Sequence, residues 1–207
     1  MKTNLLFASL AAAAALCSSC ATGRVMSNDE PSMVGATNAG SEVYDAAVRS
    51  VLQKVLDEHT QKFLHNAAGK WNVAFIGVEN KSAEELGDFE EAIYSNIQDV
   101  LSNSELYTPI DRRYVTAALN ANRLTPDQLF LEVPRQQFRS VIGKNGKTPD
   151  ILLFAKTTSQ TTRGSKDILG RQESERTYQL QLDFVSAETG EQLTTKKSEP
   201  IRKQYTK

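Results

Sequence analysis

The chain is poor in the residues that carry most recognisable chemistry. Of 207 residues, 2 are cysteine, 2 are histidine and 1 is tryptophan. Both cysteines, Cys17 and Cys20, lie at the N-terminal end, so the rest of the chain can build neither a disulfide framework nor a thiolate metal cluster. His59 and His65 sit at the polar end of one helical pattern without the cysteine or carboxylate spacing of a zinc site, and read as solvent-facing filler. No G-x-S-x-G nucleophile elbow occurs. Gly146-Lys147-Thr148 resembles the end of a phosphate loop, but Val141 occupies the place of its first glycine and Pro149 leads into a strand, so it reads as a turn. Beyond residue 20 no run approaches the ~18 consecutive apolar residues of a membrane-spanning helix.

Paired carboxylates are the remaining route to catalysis. Glu84, Glu85, Asp88, Glu90 and Glu91 cluster, but they do so in the first turns of a helical pattern. There the macrodipole favours negative charge by ~0.3–1 kcal/mol each. A solvated helix start accounts for them better than an acid–base pair. No metal or cofactor is expected, and the chain reads as a non-enzyme.

What is present begins with Lys2, an apolar run over 5–16 and the sequence Leu16-Cys17-Ser18-Ser19-Cys20. That run is about a dozen residues, too short for a bilayer core of ~30 Å. Small serines before a cysteine mark a lipoprotein signal peptide over 1–19, with Cys20 as the lipidation site. A soluble secreted protein cut near Ala21 is the alternative. The residue after Cys20 is Ala21 and not aspartate, which resembles the pattern sorted onward to the outer membrane. The expected location is therefore lipid-anchored, facing the periplasm. Residues 20–40, rich in Gly, Ser, Asn, Ala and Thr, read as a flexible tether. Fully extended, it reaches on the order of 65–70 Å.

The globular part is expected over 41–207, as one α/β domain. Its mixed, mostly antiparallel sheet has four to five strands, flanked by helices over its inner face. Ser41 opens a helix through Ala47, Val51 and Val55. WNVAFIGV over 71–78 reads as a central strand buried on both faces. Ser82 and Glu85 have capping-box spacing ahead of the stripe Leu86, Phe89, Ile93, Ile97 and Leu101. A short strand is expected over 106–110, a helix capped by Asp111, a helix start at Thr125-Pro126, and another helix opened by Pro134. An apolar strand over 151–155 continues into a Thr-rich stretch. Tyr178, Leu180, Leu182 and Phe184 alternate as a half-buried strand. A turn at 188–191 leads into its returning partner over 192–201.

Charge is polarised along the chain. Residues 41–110 hold 12 acidic and 5 basic residues, and residues 111–207 hold 11 acidic and 17 basic. Arg112, Arg113, Arg135 and Arg139 fall in the helical segment between the second and third strands. The segment 163–176 (RGSKDILGRQESER) exceeds the usual two to five residues of a hairpin connection. It carries Ile168 and Leu169 among charges, beside Arg171. Solubility and internal complementarity are one reading of the cations, and folding back onto the sheet is one reading of Ile168 and Leu169. The sharper reading makes these seven residues a docking face for an acidic protein partner. Nucleic acid is not expected for an exported chain with pI near 6.2, and no small-molecule substrate is evident.

The strand WNVAFIGVENKS, the run DILLFA from Asp150, the hairpin YQLQLDFVSAETGEQL and the closing Glu199-Pro200-Ile201-Arg202-Lys203 together resemble the LpoB family. Those proteins are outer-membrane lipoprotein activators of class A penicillin-binding proteins. A related hairpin occurs in the wider group that includes curli-secretion lipoproteins. The resemblance implies a non-catalytic protein that docks on a synthase's regulatory domain and raises peptidoglycan synthesis. The alternative is a periplasmic binding or assembly lipoprotein of the same fold serving another client, such as a secretion system.

Overall fold

The computed structural model describes residues 25–26, 41–63, 69–83, 86, 88–145, 147–166 and 172–206. In chain order these form β1 (Val25–Met26), α1 (Ser41–Phe63), β2 (Trp71–Lys81), α2 (Asp88–Ser102), β3 (Tyr107–Pro109) and α3 (Arg112–Ala121). A 3-10 helix (Pro126–Phe130) and α4 (Glu132–Asn145) follow, then β4 (Ile151–Lys166), β5 (Gln172–Ser186), β6 (Gln192–Lys197) and β7 (Ile201–Thr206). The strands make one mixed sheet in the order β1-β7-β5-β4-β2-β3, with β6 also on β5. β2 runs parallel to β3 and β4, and the other pairings are antiparallel. This is the expected α/β class, with seven strands where four to five were anticipated.

The central strands explain the layering. In β2 the run over 73–76 and in β4 the run over 151–155 are apolar and buried or half-buried, so successive side chains enter opposite cores. Val73, Phe75, Ile151 and Leu153 join Val48, Leu52, Ile93, Ile97 and Leu101 of α1 and α2. Ala74, Ile76 and Leu152 join Val115, Ala118, Leu129, Phe138 and Ile142 of the α3, 3-10 and α4 layer. Helices therefore cover both faces of the sheet, not one inner face as expected from the sequence. Alternation in strands already saturated with apolar residues forces a second cover.

Several boundaries differ from the expected ones for local reasons. α2 begins at Asp88, and Ser82 does not cap it. The Ser82 N–H and hydroxyl both donate to Asn80 Oδ1, at 2.9 and 2.6 Å, while Glu85 lies outside the described residues. Thr125 does open a helix, but a 3-10 one of 5 residues, with its N–H donating to Gln128 Oε1 at 3.0 Å. The supposed long loop over 163–176 is mostly strand, because β4 and β5 stay paired out to Lys166 and Gln172. His65 lies outside the described residues.

The returning strand splits in two. β6 pairs with β5 over Gln181–Val185 and β7 pairs over Glu173–Tyr178, so the two lie end to end along one neighbour. Between them Pro200 has no N–H to give. Ser198 bridges the gap: its N–H donates to Leu180 O at 2.8 Å, and its Oγ accepts from Leu180 N–H at 3.0 Å. Within the expected tether, Val25 and Met26 are strand and not coil, paired with Lys203 and Arg202. Residues 20–24 and 27–40 lie outside the described residues.

If both faces are true cores, truncation on either side is equally harmful. Leu153→Ala and Leu152→Ala should each cost about 2–5 kcal/mol in urea unfolding. A loss under ~1 kcal/mol for Leu152→Ala would contradict a packed second layer.

Candidate docking surface

The four arginines expected to form a basic face are dispersed by the fold. Arg135 is 3% exposed. Its Nη1 donates to Leu129 O at 3.4 Å and Phe130 O at 3.2 Å, and its Nη2 to Thr189 O at 2.8 Å. The cation thus sits at the C-terminal end of the 3-10 helix, where free carbonyls carry partial negative charge. It ties that helix to the 188–190 turn, and Gln136 Nε2 adds a bond to Glu188 O at 3.1 Å. Arg135 is therefore corrected from docking residue to internal staple, because both of its Nη atoms are taken up by main-chain carbonyls, while its Nε stays buried without a partner among the described residues.

That staple explains the glycine of the T-G-E turn. Gly190 has φ +78, a conformation L side chains rarely adopt. A Cβ there would also fall 2.3 Å from Arg135 Nη1. Backbone conformation and guanidinium contact independently require hydrogen at this position.

Arg112 lies at the start of α3 and pairs with Glu91 and, at 3.5 Å, Glu90 of α2. Its guanidinium carbon stands 4.8 Å from the Tyr94 ring centre, and its backbone N–H donates to Tyr94 Oη at 2.9 Å. Burial raises the Tyr94 pKa, the hydrogen bond from Arg112 opposing it. Arg113 projects outward, with its side chain 88% exposed. It chelates Asp111, with Nη2 to Oδ2 at 2.8 Å, while its backbone N–H donates to Oδ1 at 2.8 Å to cap α3. Those hydrogen bonds hold the Asp111 carboxyl down at about 2. Arg139 is partly buried on α4, with its Nε enclosed and without a hydrogen-bond partner among the described residues. Ile168, Leu169, Arg171 and Cys20 lie outside the described residues. Arg112 and Arg113 share a helix start; Arg135 does not join them on the surface.

The structure presents an apolar surface that the sequence reading missed. Phe130, Leu131 and Val133 are 53%, 61% and 67% exposed, an unusual run for large apolar side chains. Their signal was the string LFLEV following Pro126. The helix there is too short for periodicity to tell an inward residue from an outward one.

No protein-family model and no curated protein sequence matches the chain. Among solved structures, it is similar to the LpoB C-terminal domain from Salmonella enterica (14% identity, 73% of this chain and 96% of that chain, TM-score 0.45). It is likewise similar to LpoB of E. coli solved by NMR (15%, 88% and 79%, 0.48). A third is lipoprotein GNA1162 from Neisseria meningitidis (17%, 64% and 82%, 0.45). Identities this low with TM-scores below 0.5 transfer neither residues nor function.

Two outcomes follow from the geometry. Gly190→Ala should cost about 1–3 kcal/mol in thermal or urea unfolding, and distinctly less in an Arg135→Ala background, because the clash is then gone. Equal penalties in both backgrounds would refute the contact. Asp111 has a folded pKa below its unfolded one, so its contribution to stability is present above the ordinary carboxylate range. That contribution is lost as pH falls toward about 2. Carboxyl 13C NMR should place its midpoint near 2. Arg113→Ala should raise that midpoint only part of the way, because the backbone N–H still donates.

Proposed function

We propose that the chain is a non-catalytic lipoprotein, anchored in the outer membrane through Cys20, that binds a class A penicillin-binding protein and activates peptidoglycan synthesis. One observation carries this reading. The segments that resemble the LpoB family are scattered over some 130 residues, 71–203, yet they are the neighbouring strands β2, β4, β5, β6 and β7 of one sheet. The likeness therefore falls on the centre of the fold, and its T-G-E turn is the one stapled by Arg135. The lipoprotein-type N-terminus gives such a module a membrane on which to act.

Activation without catalysis has a definite physical requirement. The lipoprotein must bind the active synthase conformation more tightly than the idle one, since equal affinity shifts no population. A difference of ~1–3 kcal/mol corresponds to about a 5–150-fold coupling. Reach matters as well. While β1 stays on β7, only five peptide units separate Cys20 from the sheet, ~17 Å when extended. Release of β1 restores the longer tether. Of the expected docking residues that are described, Arg113 presents its guanidinium furthest outward, and Arg112 stands beside it.

The test is reconstitution. Full-chain protein added to a purified class A synthase should raise glycan polymerisation at least about fivefold. Cys20→Ser should abolish acyl incorporation and release the protein from membranes without altering activation in detergent. A synthase unaffected by saturating protein would refute the activator reading. Co-purification with secretion components would then point to the other client.

A further inference from the structure

The α3, 3-10 and α4 layer ends before β2 and β4 do, leaving part of its sheet face open. A groove of about 470 Å³ lies there, lined by Gly77, Phe130, Phe154, Pro126, Asp127 and Asp183, with Glu79 and Lys156 at one end. Its floor is set by register. Gly77 stands opposite Phe154, and Phe154 opposite Asp183, in one row across β2, β4 and β5. The shift between Phe75 and Gly77 marks a bulge in β2 at Ile76. A Cβ on Gly77 would meet nothing within 4 Å, so the missing side chain leaves open space. Phe130 of the 3-10 helix stacks on Phe154 at 4.6 Å between ring centres and forms the opposite wall. Leu131 and Val133, which follow Phe130 closely in the chain, are also exposed.

The rim decides the occupant. Asp127 and Asp183 make no ion pair among the described residues. Asp127 is held by hydrogen bonds from the Thr125 side chain and its own N–H, and Asp183 accepts from Gln181 Nε2 at 3.0 Å and from Thr195 Oγ1. Glu79 is already paired with Lys81 at 2.6 Å and lies 3.8 Å from Lys156. Two carboxylates without cationic partners thus flank an apolar slot large enough for a bulky side chain. We infer that this groove is a protein-docking site, taking a partner segment that inserts an aromatic or aliphatic anchor flanked by arginine or lysine.

This inference deepens the proposed function by naming the contact surface, and its test is separable from it. The probe is a random dodecapeptide phage library panned on the full chain. Enriched peptides should pair Trp, Phe or Leu with Arg or Lys, and should bind Gly77→Leu at least about tenfold more weakly. Asp127→Lys, a fully exposed site and hence safe for folding, should shift the enriched flanks toward acidic residues. Peptides without basic flanks, or with undiminished binding to Gly77→Leu shown folded by circular dichroism, would overturn the proposal. So would chitotetraose perturbing the Phe154 and Asp183 amides in NMR, which would make the groove a glycan site. In the synthase assay, full activation by Gly77→Leu refutes the groove while leaving the activator reading intact. A synthase indifferent to the unmodified protein refutes that reading, while the peptide result still judges the groove.

Discussion

The structure depends on one constraint: β2 and β4 are apolar on both sides at the sheet's centre. Parallel neighbours buried on two faces cannot be left to solvent on either one. With no cysteine after Cys20 to form a disulfide, the two cores must supply the stability that a cross-linked domain draws from its disulfides. The chain meets this by placing α1 and α2 on one face and the shorter helices on the other. Where the strands turn polar, beyond Val78 in β2 and Ala155 in β4, cover on the second face is no longer required. The groove opens at that boundary.

The second layer is fastened by its apolar core and, at the 3-10 helix, by the charge of Arg135. A buried guanidinium with no carboxylate partner among the described residues is held by carbonyl oxygens from the 3-10 helix and the β5–β6 turn that converge on its Nη atoms. Removal of one partner would leave buried charge under-satisfied, so the helix, the turn and Gly190 are tied to one another. Arg135 lies among exposed-looking residues in PRQQFRS, and nothing in that string marks it as internal. Its burial follows from a turn over 50 residues away in sequence. Local pattern has no access to that.

Elements with a long period were legible. Val51, Val55, Ile93, Ile97 and Leu101 repeat at helical spacing and are buried, and WNVAFIGV and ILLFA announced two-sided strands. Boundaries set by single hydrogen bonds were not, as with Asn80 drawing Ser82 away from a helix cap, or Ser198 splitting one strand into two. The docking face was least legible of all. Counting charge by segment suggested an acidic first half and a basic second half, each free to act outward. Folding brings them together: Arg112 meets Glu90 and Glu91, Lys196 meets Glu58, and Lys54 meets Glu199. Arg112, Lys156 and Lys196 of the basic half thus face carboxylates of the acidic half, while the Lys54–Glu199 pair joins the halves the other way round. Exposed pairs of this kind contribute little to stability, ~0–1 kcal/mol each, but they remove the cations from the list of available contacts.

On the proposed activator reading, the chain must present its partner with a surface that does not collapse on binding, because ordering costs are subtracted from the preference that shifts the partner's population. A flexible loop of arginines meets that requirement poorly, since each long side chain loses rotamer freedom on docking. The groove meets it well. Its floor is a row of strand partners held by backbone pairing, its wall is a stacked phenylalanine pair, and its vacancy comes from a glycine that lacks a side chain to rearrange. In the proposed docking role, rigidity would come from the sheet that holds the fold together, and selectivity from Asp183 on that sheet and Asp127 on the 3-10 helix packed against it.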